Sequence, residues 1–81
     1  MDVKSIESRI LQAMPDAEVR VASDDNVHYV ARVVSPAFTG KTRIQRHRLV
    51  HAAMGESLGR EIHAMSLDLK SPEEAGQEGA G

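Results

Sequence analysis

The sequence predicts a small α+β domain in which a three-stranded sheet carries helices on one face. Apolar residues recur at helical spacing over residues 5–14 and alternate with other residues over 18–22. Residues 27–34 form a β-branched run, and the turn-forming residues 23–26 precede it, so we expect an antiparallel pair. Three strands cannot bury their own apolar face, and the helices should therefore cover one side of the sheet.

The two longer helices have recognisable ends. The first is predicted over Ser5–Met14, with Ser5 as its N-terminal cap and Pro15 ending it. A loop over residues 35–40 follows the second strand. The second helix is predicted from about Lys41 to Met54, where Gly55 terminates it.

The rest of the domain completes the order α-β-β-α-α-β. A short helical turn is predicted at residues 56–60, and a third strand at residues 61–69. Three alternate residues of this strand share one face: Met65, Leu67 and Leu69. We assign residues 1–70 to the domain and expect residues 71–81, which have no apolar pattern, to be a disordered tail.

Composition argues against several classes of function. The chain has no cysteine, which excludes disulfides, thiolate metal ligands and cysteine nucleophiles. No apolar run is long enough to span a membrane and no signal peptide is recognisable, so we expect a cytoplasmic protein without membrane contact. No catalytic constellation is recognisable either, and the sequence does not predict an enzyme.

Positive charge is concentrated in the middle of the chain. The net charge is -2, yet residues 26–55 contain five Lys or Arg and no Asp or Glu. The helix end near these residues favours anions, which could be a nucleic-acid phosphate, a partner's carboxylate or a small molecule. A solvated helix face is the alternative. The candidate binding residues are Lys41, Arg43, Arg46 and Arg48.

The four histidines fall into two pairs. His47 and His51 are four residues apart on the second helix, a spacing that can bind a metal but leaves the site incomplete. We interpret His47 as a boundary residue between helix and sheet, and His51 as a surface residue. His28 and His63 lie near the starts of the second and third strands, and the fold would have to bring them together.

Three sequence blocks resemble the BolA family. They are Ser35-Pro-Ala-Phe-Thr-Gly-Lys41, Gln45-Arg-His-Arg-Leu-Val50 and Ile62-His-Ala-Met-Ser-Leu67. The predicted order of elements is also that of the family, and the resemblance covers roughly residues 5–75. It implies a fold similar to class II KH domains and a protein that is not an enzyme.

The resemblance also implies a partner and a cluster. BolA proteins pair with monothiol glutaredoxins of the CGFS type, and the pair can hold a [2Fe-2S] cluster with glutaredoxin cysteine and glutathione thiolates on one side. The family's histidine ligand falls on His63, and the nearest candidate for the second ligand is His28. Histidine ligands raise the cluster potential and can be lost on protonation. The isolated protein is expected to hold no cofactor and to be a monomer or a weak homodimer.

Two functions are therefore expected as alternatives. One is an adaptor in iron–sulfur cluster trafficking or iron homeostasis, in which the basic residues contact the partner or glutathione. The other is a DNA-binding transcriptional regulator, also proposed for BolA proteins, in which the same cations hold phosphates. The Gly-x-x-Gly signature of KH domains is missing from residues 54–59, so nucleic-acid binding in the KH mode is not expected.

Overall fold

The computed structural model describes residues 2–55 and 64–80. The predicted helical turn at 56–60 and the first residues of the predicted third strand, 61–63, lie outside this part of the chain. None of the described helices combines the length and apolar character needed to cross a membrane. The elements are α1 (Val3–Ala13), β1 (Glu18–Ala22), β2 (His28–Val34), a 3-10 turn (Pro36–Phe38), α2 (Arg43–Met54), β3 (Ala64–Lys70) and α3 (Pro72–Ala80).

The sheet has the strand order β1-β2-β3, with β2 in the centre. β1 and β2 pair antiparallel, as predicted, and β1 has the predicted bounds. β2 and β3 pair in parallel, with His28 opposite Ala64 at one end and Val34 opposite Lys70 at the other. The starts of β2 and β3 therefore lie at the same end of the sheet.

The core lies between one face of the sheet and helices α1 and α2. Met65 and Leu67 pack against this core, and Leu69 belongs to it, which confirms the predicted inward face of the third strand. On the opposite face of the sheet, the side chain of Val30 is exposed. The predicted α+β class is confirmed. The core residues are Ile6, Ile10, Met14, Tyr29, Val33, Phe38, Val50, Met54 and Leu69.

Helix α1 begins two residues earlier than predicted because Asp2, and not Ser5, is its N-terminal cap. Asp2 Oδ1 accepts the backbone N–H of Ser5 at 2.8 Å. This hydrogen bond also lowers the pKa of the Asp2 carboxyl from its ordinary value. A carboxylate at this position stabilises the helix because the unpaired N–H groups make this end positive.

Helix α2 begins at Arg43, and Lys41 precedes it, because Thr42 caps the helix. Thr42 Oγ1 accepts the N–H of Gln45 at 3.2 Å, and Gln45 Oε1 accepts the N–H of Thr42 at 2.9 Å. Gly40, with φ of 75°, adopts the left-handed conformation that glycine favours and turns the chain towards the cap. The Thr42 hydroxyl accepts the Gln45 N–H, so this N–H is not available to an anion, and anion binding at this helix end stays a prediction.

The expectation of a disordered tail is corrected by α3, which spans most of those residues. The Ser71 N–H donates to Glu74 Oε1 at 2.8 Å, and the Glu74 N–H donates to Ser71 Oγ at 3.3 Å. Pro72 occupies the first helical position, where its missing N–H costs no hydrogen bond. These features start a helix without any apolar periodicity, which is why the composition of the segment did not predict it.

Candidate functional site

The turn between β1 and β2 fixes His28 through one carboxylate. Asp25 Oδ1 accepts the backbone N–H groups of Val27 and His28, both at 2.9 Å. Asp25 Oδ2 lies 2.9 Å from His28 Nδ1. The Ser23 hydroxyl donates to the His28 carbonyl oxygen at 2.6 Å. The main chain and the ring of His28 are thus both held by side chains of the turn.

This geometry determines which ring nitrogen of His28 is available. Hydrogen bonds from the His28 backbone N–H, then from its side chain and from the Val27 N–H, hold the pKa of Asp25 well below its ordinary value. Asp25 is therefore an acceptor at neutral pH, and the His28 Nδ1 facing it carries a hydrogen. In the neutral ring Nε2 then has the lone pair, and the side chain is 69% exposed. A carboxylate behind the ring is typical of metal-binding histidines.

The parallel pairing places the first residue of β3, Ala64, opposite His28. Neighbouring strands lie about 4.8 Å apart, so the main chains of the two strand starts are close. His63, the predicted cluster ligand, precedes Ala64 in the sequence and lies outside the described residues. A cavity of about 330 Å³ borders His28 and is lined in part by Tyr29 and Ser66.

Within residues 2–55 and 64–80, no group of three or more His, Cys, Asp or Glu side chains could hold a metal ion. A metal bound at His28 would therefore need further ligands from beyond this part of the chain. An exposed imidazole with a free nitrogen is suited to a site that a second molecule completes.

A second candidate surface, the basic groove, lies at the other end of the sheet. Its volume is about 500 Å³. It is lined by Lys41, Arg43, Arg46 and His47 on one side, and by residues 67–70 and Glu74 on the other. The groove therefore runs between the start of α2 and the C-terminal half of β3.

Arg46 is committed to contacts within the molecule. Its Nε donates to the Lys41 carbonyl at 3.0 Å, and its Nη1 donates to the Leu69 carbonyl at 3.1 Å and to Glu74 Oε1 at 2.7 Å. The guanidinium carbon lies 5.9 Å from the centroid of the Phe38 ring. Its side chain is 13% exposed. These contacts assign Arg46 to holding α2, β3 and α3 together.

The other three predicted cations, Lys41, Arg43 and Arg48, are exposed. Lys41 and Arg43 line the basic groove, whereas Arg48 lies outside it. The fold thus brings two of the exposed cations to one surface and separates them from His28 by most of the length of the sheet. Their binding role stays a prediction.

The two histidines of α2 match their interpretation as a boundary residue and a surface residue. His47 is half-buried and His51 is exposed. Their ring centroids are 6.3 Å apart at an interplanar angle of 74°. A third metal ligand does not accompany them in the described part of the chain.

Two carboxylates that organise these surfaces, Asp25 and Glu74, were not among the predicted site residues. Glu74 accepts hydrogen bonds from the Ser71 N–H and from Arg46, which lower the pKa of its carboxyl to about 2. Both carboxylates had a local signal in the sequence. Asp25 precedes two N–H groups that an Asx turn can satisfy, and Ser71-Pro-Glu-Glu74 has the spacing of a capping box.

Comparison with known proteins gives consistent results. The model of the family described as BolA-like protein matches residues 8–74. Human BolA-like protein 1 is 42% identical over 52 residues, which are 64% of this chain and 38% of the human protein. The chain thus matches less than half the length of this relative.

Two solved structures are similar over most of their length. The structure of a bolA protein homologue from Coxiella burnetii is 34% identical, with a TM-score of 0.81 over 94% of this chain and 97% of that one. The BolA domain of SufE1 from Arabidopsis thaliana is 30% identical, with a TM-score of 0.74 over 89% and 93%.

The family match agrees with the topology and with the sequence blocks. It contains all three strands and α2, and it ends at Glu74, the residue that joins α3 to Arg46. The structural similarity covers nearly the whole of both chains for the Coxiella burnetii protein. The family resemblance seen in the sequence is thereby confirmed, and this chain belongs to the BolA-like family.

Proposed function

We propose that this protein is a non-enzymatic adaptor in iron–sulfur cluster assembly or trafficking. In this role it binds a monothiol CGFS glutaredoxin and shares a [2Fe-2S] cluster with it. Family membership and the presence of a BolA domain in SufE1 support a role related to iron–sulfur processes. The observation that carries the proposal is the geometry of His28, whose Nδ1 is held by Asp25 while Nε2 is available at an exposed strand start.

The donor chemistry of the chain supports the same proposal. The sequence has no cysteine, so this chain can offer imidazoles but no thiolates to a [2Fe-2S] cluster. Two histidines in place of two cysteines on one iron is an arrangement that [2Fe-2S] centres accept. We propose His28 as one ligand and His63 as the other, and the residue after His63 is the register partner of His28.

The remaining ligands would come from the partner, as the cysteine thiolate of the glutaredoxin and the thiolate of glutathione. The cluster is thus cargo shared between two proteins. Exposed cations beside and on α2, namely Lys41, Arg43 and Arg48, are proposed to contact carboxylates of the partner. Arg46 is left out of this set because of its contacts within the molecule.

The test is to mix the protein with a CGFS glutaredoxin that carries its cluster and to record visible absorption and circular dichroism. Wild type should change the spectrum, since imidazole replaces thiolate on one iron. H63A and H28A should each reduce this change, and H51A, which removes an exposed imidazole of α2, should leave it intact. An unchanged spectrum with wild type, or an H63A variant that acts like wild type, would sink the proposal.

A binding measurement separates cluster ligation from docking. Calorimetric titration of the glutaredoxin without cluster should give similar affinities for wild type, H28A and H63A, because docking does not use the two imidazoles. A combined K41E and R43E variant should weaken this docking while the two histidines remain intact. Equal docking by this variant and by wild type would remove the two cations from the proposed interface.

The exposed cations also favour a second candidate, a DNA-binding transcriptional regulator that uses α2. Phosphate contacts from Lys41, Arg43 and Arg48 would make binding fall steeply with salt. Fluorescence anisotropy with duplex DNA at two salt concentrations tests this directly. The absence of binding at low salt would end this alternative.

A further inference from the structure

The basic groove has a net positive charge, because its Lys and Arg side chains outnumber its carboxylates. Glu74 is paired with Arg46 inside the groove. Asp68 is paired with Arg32, which lies outside the groove, and also has Lys70 at 3.9 Å. The exposed side chains of Lys41 and Arg43 therefore add positive charge to a groove whose acids already have partners.

Glu74 shows how this groove accommodates a carboxylate. One oxygen, Oε1, accepts both the main-chain N–H of Ser71 at 2.8 Å and Arg46 Nη1 at 2.7 Å. The combination of a main-chain donor and a guanidinium is a strong, charge-assisted arrangement for a carboxylate. The molecule thus contains an internal example of the ligand group that the groove accepts.

The same groove runs along an edge of the sheet. Among the described strands, none pairs with the edge of β3 that faces away from β2. The Lys70 carbonyl points towards the β2 side, where it accepts the Ser35 N–H at 3.0 Å. The Leu69 carbonyl points the other way, to Arg46. Because main-chain groups alternate along a strand, the N–H and carbonyl of Leu67 also face away from β2, on the groove side.

We propose that the basic groove binds an extended acidic segment of a partner protein. The main chain of this segment pairs with Leu67 at the edge of β3, and its carboxylates contact Lys41 and Arg43. Strand addition supplies the main-chain hydrogen bonds, and side chains along the groove supply the preference for acidic residues. Residues 67–70 line the groove, a length of about 13 Å at about 3.3 Å per residue, which suits a segment of about four residues.

An acidic peptide fits this groove better than a nucleic acid. The aromatic residues of the chain, Tyr29 and Phe38, are buried, so neither can stack on a base. This inference uses two of the cations that are proposed above to contact the partner, Lys41 and Arg43, but it does not require His28 or a cluster, because the groove is at the other end of the sheet from His28.

The test uses a fluorescein-labelled hexapeptide of alternating glutamate and valine, with blocked ends, in an anisotropy titration at low salt. We expect saturable binding. The matched peptide of alternating lysine and valine, and a single-stranded DNA of equal charge, should bind at least about tenfold more weakly. Tighter binding of the DNA, or equal binding of the two peptides, would overturn the proposal.

Variants of the protein test the residues. The double variant K41E and R43E should weaken binding of the acidic peptide by about tenfold or more. R48E is the matched control, because Arg48 is exposed on the same helix but does not line the groove. The affinity of the R48E variant for the acidic peptide should differ from that of wild type by less than about twofold. E74Q should tighten binding by about threefold, because it removes a competing negative charge. If R48E weakened peptide binding as much as the double variant does, the basic groove would not be the binding site.

A modified peptide tests the main-chain pairing without altering the protein. Methyl groups on alternate peptide nitrogens block hydrogen bonds to one strand edge while the charge stays the same. The peptide methylated on the nitrogens that face β3 should bind at least about fivefold more weakly than the peptide methylated on the other set. Equal affinity of the two methylated peptides would exclude strand addition at the edge of β3.

Discussion

At each end of the sheet, a carboxylate accepts main-chain N–H groups and holds a nitrogen-bearing side chain. At one end, Asp25 accepts main-chain N–H groups and faces the nitrogen of His28. At the other, Glu74 accepts a main-chain N–H and faces the nitrogen of Arg46. In both cases the hydrogen bonds lower the pKa of the carboxyl, with a backbone N–H as the largest cause.

The two ends differ in whether the side chain held by the carboxylate remains exposed. The His28 side chain is 69% exposed, and its second ring nitrogen has no role in the turn. The Arg46 side chain is 13% exposed, and it joins the carbonyls of Lys41 and Leu69 to Glu74. A carboxylate that orients a ring at the surface leaves a reactive atom available, whereas a carboxylate that completes a network within the fold contributes to stability.

Arg46→Ala tests this difference most strongly and should destabilise the protein by about 2–3 kcal/mol, because it leaves partly buried carbonyl groups without their charged donor. His28→Ala and Arg48→Ala, which remove exposed side chains, should each change the free energy of unfolding by less than about 1 kcal/mol. Urea unfolding followed by circular dichroism measures all three. Equal effects of the Arg46 and His28 variants would break the comparison.

Protonation of Asp25 and Glu74 at acidic pH should lower the stability of the protein. A carboxyl whose pKa is lower in the folded state stabilises the fold above its unfolded pKa, and this stabilisation is lost as the pH falls through the folded value. For Glu74 the window runs from the ordinary value of 4.5 down to about 2, and for Asp25 it begins at 3.8. Stability measured across this window should fall in wild type and fall less in E74Q and in D25N. A variant with the same acid profile as wild type would show that its carboxyl is not held as described.

Effects smaller than that of Arg46→Ala should also come from the residues with positive φ in the two loops. Gly40, with φ of 75°, precedes α2, and Asn26, with φ of 57°, lies in the His28 turn. Gly40→Ala should cost about 1 kcal/mol because the left-handed conformation is strained for alanine, and no neighbour obstructs the added carbon. Asn26→Gly should stay within about 0.5 kcal/mol. Thermal unfolding compares them, and a larger loss for Asn26→Gly would assign the Asn26 side chain a role in the turn.

The strands and the inward face of β3 followed from the sequence because these patterns are local. The antiparallel pair was predictable from the turn residues between β1 and β2. The starts of α1 and α2 were displaced by two residues, because Asp2 and Thr42 cap them and neighbouring polar residues offered competing caps. The end of α2 at Met54 is as predicted.

The role of Arg46 was not predictable in the same way. Its acceptors, Leu69 and Glu74, are 23 and 28 residues away in the sequence, and the fold alone brings them together. A cation in a basic stretch looks the same in sequence whether it faces solvent or a buried carbonyl. The arrangement of His28 depends on a local contact, because Asp25 is only three residues away in the sequence. The prediction for His63 falls outside the described residues.

The parallel pairing of β2 and β3 also has a consequence for the order of folding. Residues 23–27 join β1 to β2, a short connection that closes on a timescale of about 1–10 μs in hairpins. Residues 35–63 separate β2 from β3, and closing this longer connection costs more chain entropy. The turn that orients His28 can therefore form early from local contacts. The groove beside β3 exists only after the non-local contacts of Arg46 have formed, and a partial unfolding that releases β3 would abolish the groove and leave the turn in place.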